Sequence, residues 1–404
     1  MIIKIHRGTH QIGGSITEIK TDKARLIIDI GAELPRADKK ESERFDIDGV
    51  TIGKPNCDAV LVTHYHGDHV GMFENVLPEI PIYMGWIAKN IFGVVQKYLT
   101  MHPTANKGNP ELVAKFKEYE AGKPIHFGDI KVTPYCIDHS AYDAYMLLIE
   151  AEGKRILHTG DFRMHGARGA KMPAVLEAYA RNIDVLIIEG TMLSRTSEKP
   201  MTEHELGAEA KKLLTENKNV FVLCSSTNID TIAEFYKATI ANKKPFVCDY
   251  MQAEILKIVT ETAQSSFYEF PKVYTYGTHE KLQKYMADRG FCFIGRANPK
   301  TMKAIEQFPD NLLIYSMWSG YLDEKHPAHD NDKIEFVNKA VKSGSRLLHL
   351  HTSGHATAEQ LKQVCEITQA KMIVPIHSEK PENFLNMGIQ ADIRVLSDGE
   401  SITI

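Results

Sequence analysis

The residues best suited to chemistry lie in the stretch 62–71, VTHYHGDHVG, which holds His64, His66, Asp68 and His69. His64 and His66 are two apart, so an extended backbone points both the same way. Gly67 permits a tight turn, and Asp68 and His69 then bring a second group of donors back toward the first. Imidazole and carboxylate together suit zinc and other divalent transition metals. Four donors this close could serve two adjacent ions, yet they are too few to complete two sites. The competing reading is a polar loop that happens to be rich in histidine.

Further donors recur in equivalent settings. CIDHS offers His139, HTGDF offers Asp161, PIHSE offers His377 and IIDIGA offers Asp29. Each follows or ends a short apolar run. Taken singly, a loop Asp is an ordinary cap and a loop His an ordinary solvated side chain. Taken together they form a pattern of strand ends converging on one rim.

The elements that would position them are legible as apolar runs at 25–30, 59–63, 155–158, 184–188, 220–224, 245–248, 312–315, 346–350 and 371–376. Their length and β-branched content read as buried strands. Helical spacing of apolar residues marks 203–216, 229–238, 252–263, 279–288 and 358–367. Strands alternating with helices predict an α/β protein. Strand ends carrying His, Asp or Glu occur up to about residue 195 and again from about 345, but mostly not between. The expected organisation is one discontinuous domain, 1–195 and 346–404, carrying the site, with a second domain, 196–345, inserted into it.

The 404 residues carry 48 Lys+Arg against 52 Asp+Glu, a net charge of -4. That balance excludes a generally basic nucleic-acid binder, so any nucleic acid must be met at a local groove or metal site. No apolar run reaches the roughly 18 residues of a membrane span. The start, MIIKIHRGTHQIGG, lacks the apolar core of a signal peptide, so a cytoplasmic location is expected. Cys57, Cys136, Cys224, Cys248, Cys292 and Cys365 form no C-x-x-C pair and read as free, mostly buried thiols.

HYHGDH, with Asp29, His139 and Asp161, resembles the metallo-β-lactamase superfamily, and IIEGT (Glu189), TSGHA (His355) and PIHSE (His377) resemble the three further motifs of its β-CASP branch. The resemblance is to ribonuclease J-type nucleases and spans nearly the whole chain. It implies an αββα metallo-β-lactamase sandwich with an inserted α/β β-CASP domain. It also implies two zinc ions, with manganese an alternative. His64, His66 and His139 would hold the first and Asp68, His69 and His377 the second. Asp161 would bridge them, and Asp29 would orient the centre from behind. A histidine at the position of His377 is similar to RNA-processing members, which makes single-stranded RNA the expected partner. Ribonuclease J proteins commonly extend well past the last motif; here the residues after HSEKPENF close on IRVLSDGESITI.

The chemistry expected of such a site is attack by a dimetal-bridged hydroxide on a phosphodiester, leaving a 3′-OH and a 5′-phosphate. Asp68, Glu189 and His355 are the residues expected to carry catalysis, with His355 and Glu189 as the pair that protonates the leaving oxygen. Ser353, Gly354, Ser225 and Ser226 are candidates for holding phosphate through hydroxyl and backbone N–H groups, against a plainer reading as caps. Arg163 is expected to meet a phosphate or a surface acid. The alternative function is hydrolysis of a small ester, thioester or phosphodiester on the same fold. A third reading is an RNA-binding scaffold without catalysis. Homo-oligomerisation is left open by the sequence, and no membrane partner is expected.

Overall fold

The computed structural model describes residues 1–34, 44–101, 108–195, 201–277 and 279–404. These divide into two compact units, one built from 1–34, 44–195 and 354–404, the other from 201–353.

The first unit holds two mixed sheets. One has the strand order Ser401–Thr403, Ile2–Arg7, Ile16–Lys20, Arg25–Ile28, Ala59–Leu61, Ile82–Gly85, Lys117–Tyr119. The other runs Asp392–Ile393, Met372–Ile376, Val185–Glu189, Lys154–His158, Ala144–Ala151, Ile130–Ile137, Ile125–Phe127. They are packed face to face, because one buried cluster joins Ile3, Leu26, Ile28 and Leu61 of the first to Leu147, Ile149, Ile187 and Val374 of the second. The period-two alternation of a strand then sends Met146, Leu148, Leu186 and Ile188 to the opposite face. There they meet Met172 and Leu176 of the helix Met172–Tyr179 and Leu361 and Val364 of the helix Ala358–Thr368. The far side of the first sheet is covered by Trp86–Thr100, which buries Ala88, Ile91 and Phe92. The result is the expected αββα sandwich.

The strands that matter for the site point one way. Arg25–Ile28 and Ala59–Leu61 are parallel neighbours, and so are Lys154–His158, Val185–Glu189 and Met372–Ile376. Ile130–Ile137 is separated from Lys154–His158 by the antiparallel Ala144–Ala151, so it also shares their direction. Their carboxyl ends therefore open on common rims, where an α/β sheet offers loops for function.

The second unit is a six-stranded, all-parallel sheet in the order Val273–Thr275, Phe246–Cys248, Phe291–Gly295, Asn219–Leu223, Leu312–Tyr315, Arg346–His349. Helices join successive strands, as parallel pairing requires. Residues 346–353, expected in the closing segment of the first domain, lie in this unit instead. The reason is that Arg346–His349 pairs with Leu312–Tyr315 as its edge strand. Of the cysteines, Cys224, Cys248, Cys292 and Cys365 are buried, but Cys136, near the end of Ile130–Ile137, is exposed. No helix among the described residues is long and apolar enough to cross a membrane.

Candidate metal centre

Val62 and Thr63 carry the chain out of Ala59–Leu61 into the loop that bears His64 and His66. His139 enters from the end of Ile130–Ile137. His66 Nδ1 lies 3.1 Å from His64 Nε2 and 3.2 Å from His139 Nε2. The outward-facing nitrogens are tied down. Thr63 Oγ1 donates to Asp29 Oδ2 at 2.9 Å, so it can only accept the N–H of His64 Nδ1, 3.0 Å away. His139 Nδ1 donates to the Gly354 carbonyl at 2.7 Å. Those bonds fix tautomers that leave the Nε2 lone pairs of His64 and His139 aimed inward. Burial, followed by the neighbouring imidazoles, pushes His64 and His139 well below the usual histidine range, and burial takes His66 down to about 4. All three rings are thus neutral donors at neutral pH.

A second group stands beside them. Gly67–Val70 forms one helical turn, which returns Asp68 and His69 toward the rim. His377 Nε2 lies 3.1 Å from Asp68 Oδ2, and His69 Nε2 lies 3.1 Å from Asp161 Oδ2. Burial would raise both carboxyls, but the imidazoles of His377 and His69 hold Asp68 and Asp161 below the usual carboxylate range. Asp161 Oδ2 is also 4.0 Å from His64 Nε2, so this carboxylate adjoins both groups. Behind them, Asp29 takes His69 Nδ1 at 2.7 Å on one oxygen and the Thr63 backbone N–H at 2.7 Å on the other. Asp29 and His377 both have left-handed backbones, φ 59° and 51°. Non-glycine residues hold that conformation only where the surroundings impose it, and such strain gathers at functional sites.

A third pair completes the rim. Glu189, the last residue of its strand, accepts from His355 Nδ1 at 3.1 Å through Oε2 and from the Phe162 N–H at 2.9 Å through Oε1. His355 Nδ1 is 3.7 Å from Asp161 Oδ2. Burial works against its charge, but Glu189 and Asp161 outweigh it and raise the His355 pKa. His355 has 22% of its side chain exposed against 1% for Glu189, so the histidine is the member that faces solvent.

Comparison with known proteins places this geometry. Residues 44–223 match a family described as a beta-lactamase superfamily domain, and residues 345–383 match a Zn-dependent metallo-hydrolase RNA specificity domain. Ribonuclease J of Helicobacter pylori (strain B128) is 22% identical over 98% of this chain and 60% of its own length. The chain thus carries a beta-lactamase superfamily domain and an RNA specificity domain, and it is similar to ribonuclease J over nearly its whole length. Ribonuclease J of Mycoplasma genitalium is 22% identical over 97% of this chain and 72% of its own. An RNase J-like protein of Methanocaldococcus jannaschii is 29% identical over 50% of the chain and 45% of its own. The chain thus spans about 60% of the length of the Helicobacter relatives. A crystal structure of a protein of unknown function from Enterococcus faecalis V583 superposes with a TM-score of 0.78 at 20% identity, covering 100% of this chain and 99% of that one. At that identity the likeness speaks for the fold.

The donors of this centre fit divalent metal. His64, His66 and His139 present ligand atoms within 4.8 Å of one another, as do Asp68, His69, Asp161 and His377. Inward lone pairs that face each other at hydrogen-bond distance have too few protons to satisfy them. Asp161 Oδ1 is buried with no hydrogen-bond partner among the described residues. A cation resolves both defects.

The residues expected to hold phosphate are distributed differently. Gly354 comes to the centre, where its carbonyl serves His139 and a Cβ on it would stand 2.7 Å from Ser140 Oγ. Ser353, Ser225 and Ser226 belong to the second unit, where Ser225 Oγ is 3.0 Å from Thr227 Oγ1 and Ser226 is buried. Arg163 is turned inward, toward a buried acid. It is fully buried, its Nε 3.7 Å from Asp138 and its N–H donating to the Asp138 carbonyl at 2.8 Å, which ties the Asp161 loop to the His139 loop. Sequence reasoning also passed over Thr63, Thr191 and Gly31. The first two sat inside the quoted runs VTHYHGDHVG and IIEGT. Gly31 follows Asp29 closely, and a Cβ there would stand 1.8 Å from the Asp68 carbonyl, so only glycine lets those loops meet.

Proposed function

We propose that the chain is a metal-dependent ribonuclease that hydrolyses phosphodiester bonds of single-stranded RNA. The observation that carries the reading is the pair of donor groups meeting at Asp161, whose Oδ2 is 3.1 Å from His69 Nε2 and 4.0 Å from His64 Nε2, with the Glu189–His355 pair against the same carboxylate. His64, His66 and His139 would hold one ion and Asp68, His69 and His377 a second, with Asp161 reaching both. Zinc suits this donor set, and manganese is the alternative. When bound, such ions would supply a nucleophilic hydroxide at neutral pH and a Lewis-acid grip on a phosphoryl oxygen.

The chain's own groups do the rest. Asp29, Thr63 and the Gly354 carbonyl keep the imidazoles in one tautomer, so the site is preorganised before substrate arrives. His355 is the proton donor. Its Nδ1–H is spent on Glu189, which leaves Nε2–H to protonate the 3′ oxygen as the P–O3′ bond breaks and water's oxygen joins phosphorus. The products are a 3′-OH and a 5′-phosphate. Substrate enters from the His355 side, the most exposed part of the pair.

The test is cleavage of a 5′-monophosphorylated, 3′-labelled single-stranded RNA by zinc- or manganese-loaded protein, beside an equivalent DNA and an Asp68→Asn/His69→Ala variant. The reading expects RNA cleavage that the variant loses. No cleavage of RNA under either metal, together with turnover of a small ester, would overturn it.

A further inference from the structure

The Thr191 hydroxyl lies 2.8 Å from His377 Nδ1 and 3.2 Å from the His377 carbonyl oxygen, and its backbone N–H lies 3.3 Å from Glu189 Oε2. Thr191 is 1% exposed and His377 1%, so no water competes for these contacts. The hydroxyl has a single proton. Given to the His377 carbonyl, that proton leaves the oxygen free to accept Nδ1–H. His377 then carries its ring proton on Nδ1 and presents the Nε2 lone pair toward Asp68, 3.1 Å away.

We propose that Thr191 is the positioning residue for His377, setting its tautomer and ring orientation so that Nε2 serves as a metal ligand. The inference rests on the proposed role of His377 in the second metal site. Three further observations support it. The His377 backbone is held at φ 51°, a left-handed conformation that a relaxed strand end does not adopt. The His377 N–H donates to the Gly8 carbonyl at 2.6 Å, which fixes the main chain but not the ring. The other second-group histidine, His69, has the Asp29 carboxylate on its Nδ1 at 2.7 Å, whereas at His377 Nδ1 this hydroxyl, at 2.8 Å, stands within hydrogen-bond distance and the Asp161 carboxylate, at 3.6 Å, does not. The same residue's N–H reaches Glu189, so one threonine links the ring of His377 to the carboxylate that supports His355.

The alternative is that Thr191 merely fills space in the turn Thr191–Ser194. Three variants separate the two. Thr191→Val keeps the shape and removes the hydroxyl, Thr191→Ser keeps the hydroxyl and removes the methyl, and His377→Ala removes the ligand itself. The readouts are zinc affinity and stoichiometry by chelator competition, and the absorption spectrum of the cobalt(II)-substituted protein. Outer partners of metal-bound histidines are worth about 10- to 100-fold in affinity. Thr191→Val is therefore expected to weaken the second zinc by about that factor, leave the first unchanged, and alter the cobalt bands, while Thr191→Ser restores both. If His377→Ala loses one zinc but Thr191→Val binds two as tightly as the parent with an unchanged spectrum, Thr191 is not the positioning residue. If His377→Ala itself keeps two zinc ions at parental affinity, the assignment of His377 fails instead. Equal weakening in Thr191→Val and Thr191→Ser would make the contact steric and overturn the proposal.

Discussion

His355, like His69, has a carboxylate on its Nδ1, but it exposes 22% of its side chain where His69 exposes 2%. A general acid contributes typically about 10²–10⁴ in rate. His355→Ala is therefore expected to lower RNA turnover by roughly that range while elemental analysis still finds both metals, because His355 Nδ1 is engaged by Glu189 at 3.1 Å and both donor groups hold at least three ligands without it. Loss of a metal would make it a ligand. Far from the centre, Glu18 shows how a single carboxylate can govern acid stability. It accepts from His6 Nε2 and Arg25 Nη2, each at 2.8 Å, and although burial opposes its charge these partners bring it from 4.5 down to about 2. A depressed carboxylate stabilises the fold above its unfolded pKa, and that stability is lost as pH falls from about 4.5 toward 2. The difference is worth roughly 3 kcal/mol at most. Glu18→Gln should thus lie below the parent in urea midpoint at pH 7 and converge with it near pH 2.5; a constant gap across that window would show that the ion pairs contribute nothing.

At the scale of elements, the strand ends were legible because nature of residue and position coincide there. Buried parallel strands are continuous runs of Val, Ile and Leu, and the polar residue that follows each run is conspicuous, as with Asp29, Asp161 and His377. What escaped notice has no such contrast. Thr63 and Thr191 act through one hydroxyl each, and in sequence a threonine at a strand end is simply β-branched. Gly31 and the Gly354 carbonyl act through backbone, which side-chain chemistry does not announce. The 346–353 boundary was misplaced because RLLHL reads equally well in either unit; only pairing with Leu312–Tyr315 decides it. Some element ends were open to reading and are energetically testable. Thr357 and Gln360 form a reciprocal capping box at the start of Ala358–Thr368, two residues after His355. Thr357→Ala should cost about 1 kcal/mol, read as a lowered urea midpoint. Leu147→Ala, deep between the two sheets, should cost about 3 kcal/mol. An equal loss from both would mean that the inter-sheet core is no better packed than a helix end.

For the whole molecule, the division into units makes metal binding and stability separable. Every candidate ligand, from His64 to His377, belongs to the unit formed by 1–34, 44–195 and 354–404, and Glu189 and His355 with them. The second unit has a core of its own around Phe221, Phe293, Leu313 and Tyr315. A ligand that binds only the folded form stabilises it by mass action, about 2.7 kcal/mol at a hundred times its Kd. In a unit of this size that moves a melting midpoint by roughly 5–10 °C. Calorimetry of chelator-treated protein with and without added zinc should therefore show one component of the unfolding profile rising by that amount while the component of the second unit stays in place. His64→Ala/His66→Ala, which removes the first donor group and leaves the second, should reduce the shift and leave the second component unmoved. If zinc instead raised the whole profile as a single transition, the two units would unfold as one cooperative body. If it raised neither component, the convergent lone pairs around Asp161 would have to be satisfied by something other than a cation.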